Sequence, residues 1–245
     1  VKVSIIDALL NSLQADAPVY QVLVGAFWTA VVLGTDPPGC GLASTLRAET
    51  HHEGPPVPRA GRLLEYSGRG LAEWLRSPRI LEASVGMAAF NALLEVDEAA
   101  CTEVNAEDVI VRRGAGRRVA IVGHFPFVER VRQAAEVCWV LELRPRAGDL
   151  SAGQANEVLP RADVVALTGT SLLNHTFDDL VGLCRPEAFV VLLGASAPLS
   201  PVLFEHGIDA ISGTRVVDVP AVLQAVGQGA TFRQIPGKRL LTMTR

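Results

Sequence analysis

A chain of 245 residues is long enough for one large domain or two small ones. With 49% hydrophobic and 20% charged residues, and with 22 glycines and 15 prolines, it is neither disordered, collagenous nor coiled coil. A formal net charge of −4 and the lack of a basic face argue against a nucleic-acid partner.

The longest apolar stretch, Val22 to Gly34, falls short of the ~20 residues a membrane span needs and is rich in β-branched residues, so it reads as paired strands. No membrane insertion is expected. No basic segment followed by an apolar one opens the sequence, and cytoplasmic residence is the expectation. Cys40, Cys101, Cys138 and Cys184 lack CxxC spacing and are expected to be reduced, mostly buried thiols.

In chain order, Ser4–Leu13 patterns as an amphipathic helix, and Gln21–Gly25, Trp28–Leu33 and Cys40–Ser44 as strands, the last two joined through Asp36-Pro37-Pro38-Gly39. Residues 51–62, with three prolines and two glycines, predict a loop. Gly70–Arg76 and Pro78–Val96 predict helices, the second with Ser77 as N-cap and Pro78 in the first turn. On that helix Ser84, Ala88, Asn91 and Glu95 share a narrow face of small and polar residues. A polar seam near Glu107–Arg117, around Gly114-Ala115-Gly116, marks a boundary, giving an α+β unit at 1–110 and an α/β unit at 111–245.

Beyond the seam, predicted strands and helices alternate. Arg118–Gly123, Trp139–Leu143, Asp163–Thr168, Ala188–Gly194 and Ala210–Ser212 are strands. Val128–Val137, Gly153–Leu159, Phe177–Cys184, Pro201–His206 and Pro220–Val226 are helices. Runs such as Val119–Val122 and Phe189–Leu193 are apolar on both faces, as a helix-covered parallel sheet requires, so the fold class is α/β with a Rossmann-like doubly wound sheet.

Ligands of such sheets bind beyond the carboxyl ends of the strands, which here carry Gly123-His124-Phe125-Pro126, Glu142, Thr168-Gly169-Thr170-Ser171 with Asn174, and Gly194-Ala195-Ser196. Glu142 follows Gly123 by 19 residues, near the interval at which a carboxylate meets a ribose, but GHFP is not GxGxxG, which argues against a dinucleotide. His124, after a strand and before a helix, is the first candidate for acid–base work, with Glu142 as its catalytic partner and a loop-stabilising histidine as the alternative. His175 reads as a cap, His206 as part of a short surface helix, and His51-His52-Glu53 as a solvated loop with metal-donor atoms in sequence. The run from Thr168 to Thr176 suits a carboxylate or phosphate, or simple capping.

These residues fall within blocks that resemble one family: GLAST at 41–45, EASVGMAAFNALL at 82–94, VAIVGHFPF at 119–127, TGTSLLNHTFDDL at 168–180 and GASAPLSPVLFEHGIDAISG at 194–213. The sequence resembles the heavy-metal chelation proteins, long known as a domain of unknown function. That resemblance implies an enolase N-terminal-like domain, then a Rossmann-like domain, with a site between them. By motif position the site would draw on Ser44, Thr45, Glu82, Asn91, His124, Glu142, Thr168, Thr170, Asn174 and Ser196, to which the strand-end reading adds Gly123. The family role implies a heavy metal, bound directly or through an organic chelator. Hydroxyls, amides and isolated carboxylates suit a small polar organic ligand better than a soft metal. Three functions follow as expectations: a cleft that binds such a ligand and is able to modify it, a transferase using an S-adenosylmethionine-type nucleoside cofactor with Glu142 on the ribose, and a metal carrier built on the 51–53 loop. A homodimer is expected only from the frequency of twofold assemblies.

Overall fold

The computed structural model describes residues 3–47 and 54–245. The His51-His52-Glu53 loop lies outside the described residues. Ser4 caps α1 (Ile5–Ser12), its hydroxyl accepting the Asp7 N–H, and Ile5, Ile6, Leu9 and Leu10 form the buried face. Strands β1 (Val19–Val24), β2 (Trp28–Leu33) and β3 (Gly39–Ser44) make an antiparallel sheet in the order β1-β2-β3. α2 (Gly68–Ala72) runs into a 3-10 turn at Glu73–Arg76. α3 (Ile80–Leu93) lies against β3 and is buried on nearly every side, from Ala83 through Phe90.

Two expectations for this half need correction. α3 starts after Arg79, not Ser77, because Arg79 is still extended; the Ser77 hydroxyl binds Glu82 at 2.8 Å and the Arg79 N–H at 3.1 Å. The helix also ends before Glu95, so the polar face is only Ser84, Ala88 and Asn91. Gly86 is where the Trp74–Leu75 turn crosses: a Cβ there would stand 2.3 Å from the Leu75 nitrogen.

The second half contains β4 (Cys101–Thr102), α4 (Ala106–Gly114), β5 (Arg118–Val122), α5 (Val128–Ala134), β6 (Val137–Glu142) and β7 (Leu150–Ser151). It continues with α6 (Ala155–Val158), β8 (Val164–Thr168), α7 (Thr170–Leu173), α8 (Phe177–Gly182), β9 (Phe189–Leu193), α9 (Val202–Glu205), β10 (Ala210–Val216), α10 (Val219–Gly227) and β11 (Lys238–Thr244). The large sheet has the order β4-β11-β10-β9-β8-β5-β6-β7, parallel from β10 to β7, with β11 antiparallel to β10 and β4 antiparallel to β11. The fold is thus mixed α/β, a small antiparallel sheet followed by a larger, mostly parallel one. Order reverses at β5, with β6 on one side and β8 on the other.

The polar seam is helix α4. Asn105 caps it, Ala106, Val109 and Ile110 face inward, and Arg112 and Arg113 occupy the last turn, where the helix dipole favours cations. α5 stops at Ala134 and Val137 already belongs to β6, residues 168–176 hold α7, β10 runs four residues past Ser212, and β11 was not anticipated. His206 is not on the surface: it is 8% exposed at the end of α9, and its Nδ1 has no partner among the described residues. Cys40 is buried and the other three cysteines are half-buried, all free.

One apolar cluster runs through both sheets, from Leu9, Val31 and Phe90 to Leu141, Leu167, Phe177 and Leu203. Among the described residues no helix is long and apolar enough to cross a membrane.

Candidate functional site

The reversal of strand order leaves a crevice of about 270 Å³ beyond the carboxyl ends of β5, β6 and β8. Gly123, His124, Glu142, Thr168, Thr170 and Asn174 line it, with Ser171 and Thr176; Phe125, Leu141, Leu143, Ala155 and Leu180 supply apolar wall. Gly123 follows β5 at φ +105°, and a Cβ there would press on the Thr168 side chain at 3.2 Å, so glycine keeps the crevice floor open.

Glu142 ends β6 and holds the neighbouring loop. Its Oε1 accepts the His124 N–H at 2.7 Å and its Oε2 the Leu143 N–H at 3.0 Å. The His124 ring, 21% exposed, meets Asp149 through Nδ1···Oδ2 at 2.9 Å. The Asp149 side chain is 0% exposed and also accepts the Arg146 N–H at 3.1 Å and an Arg132 N–H at 3.3 Å. Burial pushes this carboxyl up, but the Arg146 N–H, the His124 ring and the Arg132 charge outweigh it, so Asp149 ionises below the usual carboxylate range.

On the opposite wall the Thr168 and Thr170 hydroxyls are 3.0 Å apart, and Ser171 donates to the Thr168 carbonyl at 2.8 Å. Asn174 Oδ1 accepts the Thr176 hydroxyl at 2.8 Å and its N–H at 3.3 Å, closing the turn between α7 and α8. His175, at φ +59°, reaches out of that turn to the Ser77 carbonyl, 2.8 Å from Nε2, and so latches α7–α8 to the approach of α3.

The other residues implied by motif position lie elsewhere. Ser196, 1% exposed, accepts the Ser44 N–H at 2.9 Å and donates to the Ser44 hydroxyl at 3.2 Å, joining the two sheets. Thr45 shares a hydrogen bond of 2.9 Å with Thr29. Asn91 donates to the Leu42 carbonyl at 2.9 Å, and Ser84 accepts the Leu46 N–H at 3.2 Å, so the polar face of α3 binds it to β3 and to the residues just after that strand. Glu82 pairs with Ser77 and Arg79 at the start of α3. Among the described residues, the crevice walls come from 122–180.

Asp149 and Arg132 escaped the sequence reading because neither follows a strand directly; Gly148-Asp149 announces only a turn. Among the described residues no three of His, Cys, Asp and Glu stand where they could hold one metal ion. Burial pushes the thiols of Cys40 up to about 12 and of Cys138 and Cys184 to about 11, away from the thiolate that soft metals seek. One imidazole and one carboxylate among hydroxyls do not fit a bare heavy-metal ion.

Two family models, both described as "Putative heavy-metal chelation", match this chain: DUF4213 over residues 6–94 and DUF364 over residues 105–244. The chain belongs to the DUF364 family. A protein of unknown function from this family in Desulfitobacterium hafniense has a crystal structure that superposes with a TM-score of 0.83 at 27% identity, over 98% of this chain and 97% of that one. A second DUF364 protein of unknown function, from Pyrococcus horikoshii, gives 0.84 at 19% identity over 98% of each chain and shows the shared fold. An uncharacterized protein of Methanocaldococcus jannaschii is 29% identical over 151 residues, 59% of this DUF364 chain and 58% of that relative, so the match spans less than two thirds of it. The family expected from the five sequence blocks is therefore the one found.

Proposed function

We propose that this DUF364 protein binds a small polar organic molecule in the crevice beyond β5, β6 and β8, and handles a metal-chelating compound or its precursor. The observation that carries this reading is the convergence of Gly123, His124, Glu142, Thr168, Thr170 and Asn174 on one 270 Å³ space at the strand-order reversal. That volume lies at the small end for ligand sites. Hydroxyls, an amide and an imidazole over apolar walls recognise an organic molecule, and a metal would reach the site as part of that ligand. In this reading the unit at 1–110 braces the unit at 111–245 through the Ser44–Ser196 and Ser77–His175 bonds.

Native mass spectrometry of the purified chain against its denatured mass tests this directly. Bound organic mass, with or without metal, supports it; a bare metal increment, retained when residues 51–53 are deleted, refutes it. His124→Ala and Thr170→Val are expected to lose the bound mass while unfolding in one transition.

One observation favours a second reading. Glu142 lines the crevice at the end of β6 beside Gly123, the position from which a carboxylate meets a nucleoside ribose. If the ligand is a nucleoside cofactor, S-adenosylmethionine or adenosine raises Tm, and Glu142→Gln abolishes the rise. No shift with any adenosine compound removes this reading.

A further inference from the structure

We propose that His124 and Asp149 form a proton-accepting pair and that the crevice ligand is a weak acid, a phenol, enol or hydroxamic acid, that yields its O–H proton to His124 Nε2. This rests on the crevice being the ligand site and adds the ligand's chemical class and a role for Asp149.

An ionised carboxylate can only accept hydrogen bonds, so the 2.9 Å contact between Asp149 Oδ2 and His124 Nδ1 requires the hydrogen on Nδ1. In the neutral ring the lone pair then lies on Nε2, and His124 lines the crevice. Asp149 is held for this task. Its side chain is fully buried, and Arg132 and the Arg146 N–H keep it ionised and fixed. At its other end His124 is held by Glu142 through its backbone N–H. Among the described residues the charged groups around the ring are Asp149 and Arg146 on the β6–β7 loop, Glu142 on β6, and Arg132 and Glu129 on α5, the last three of these with Arg146 lining either the crevice or the adjoining depression that His124 also borders.

The step balances without a further reactant. The ligand O–H bond breaks, an N–H bond forms at Nε2, and the electron pair stays on the ligand oxygen. The imidazolium gains the Asp149 carboxylate as counter-charge, and the oxyanion has within the same crevice the one O–H hydrogen that the mutual Thr168–Thr170 hydrogen bond leaves free. Asp149 acts through His124 and is a positioning residue.

4-Nitrophenol tests this, because its ring suits the Phe125, Leu141 and Leu143 wall and its anion is yellow. At a pH where the dye is un-ionised in water, equilibrium dialysis counts bound dye and absorbance reports its ionisation. The wild-type chain is expected to bind it as the anion and His124→Gln as the neutral phenol. Asp149→Asn removes the adjacent opposite charge and lowers the ionised fraction about tenfold. Dye bound un-ionised by the wild type overturns the proton-transfer proposal while leaving the crevice as a binding site; no binding at millimolar dye overturns both. Nitrogen-15 NMR of ligand-free wild-type protein covers the case in which Asp149→Asn fails to fold. Neutral His124 protonated at Nδ1 supports the pair, and protonation at Nε2 instead refutes it.

Discussion

Gly41→Ala should loosen the contact between α3 and β3. An alanine Cβ at this position in β3 would stand 2.1 Å from the Ala88 carbonyl oxygen, 2.3 Å from the Ala92 nitrogen and 2.8 Å from the Asn91 carbonyl carbon. Ordinary contacts lie at roughly 3.5 Å, and all three obstacles are helix backbone, so no rotamer change relieves them. The helix must withdraw by about 1 Å, which strains the Asn91–Leu42 hydrogen bond of 2.9 Å. Overpacking costs about 1–3 kcal/mol and a weakened buried hydrogen bond about 1 kcal/mol more, so we expect a loss of about 3 kcal/mol. For a chain of this size that lowers Tm by about 6–12 °C. Gly182→Ala is the control: nothing lies within 4 Å of its added Cβ, at the end of α8, and Tm should hold or rise slightly. Thermal and urea unfolding followed by circular dichroism measure both variants. A Gly41→Ala protein melting within about 2 °C of wild type would show that α3 does not press on β3 as described.

Ser196→Ala leaves the half-buried Ser44 N–H without its acceptor and should cost about 1–3 kcal/mol in urea unfolding; an unchanged midpoint would mean the link between the sheets is dispensable. Asp163 is held well below the usual carboxylate range, chiefly by hydrogen bonds from Arg118 and also by Arg185. Because its folded-state value is depressed, its stabilisation is complete above the unfolded value of about 3.9 and drains as pH falls below that. Asp163→Asn should therefore narrow the gap in stability between pH 7 and pH 3, and an unaltered gap in acid titrations counts against this ion pair. Dialysis against EDTA is expected to leave Tm within about 1 °C, since no three-ligand cluster exists among the described residues; a large fall would reveal a structural ion.

The parallel strands were legible because β5, β8 and β9 are covered on both faces and so appear as unbroken apolar runs. α4 was not, since its outer face and last turn are charged and only Ala106, Val109 and Ile110 carry the helical period. β11 buries Leu241, Thr242 and Met243 in succession, so it shows no two-residue alternation, and a single antiparallel strand lacks the strand–helix rhythm that revealed its neighbours. At the crevice, strand-end logic and motif position agree on His124, Glu142, Thr168, Thr170 and Asn174. Asp149 reaches His124 across 25 positions of chain, and no local pattern encodes that contact. Ser44, Asn91 and Ser196 show the converse: polar residues in a matching motif whose hydrogen bonds here join one element to another.

The shared apolar cluster has a consequence for how this protein can vary. Two family models meet in this chain as though two modules had been joined, yet Leu9 and Phe90 belong to the same packed interior as Leu141 and Phe177. Neither module could be exchanged for a relative's without refitting the other, and either one expressed alone would show solvent a broad oily face. A change in side-chain volume on one side of this interior has to be accommodated on the other.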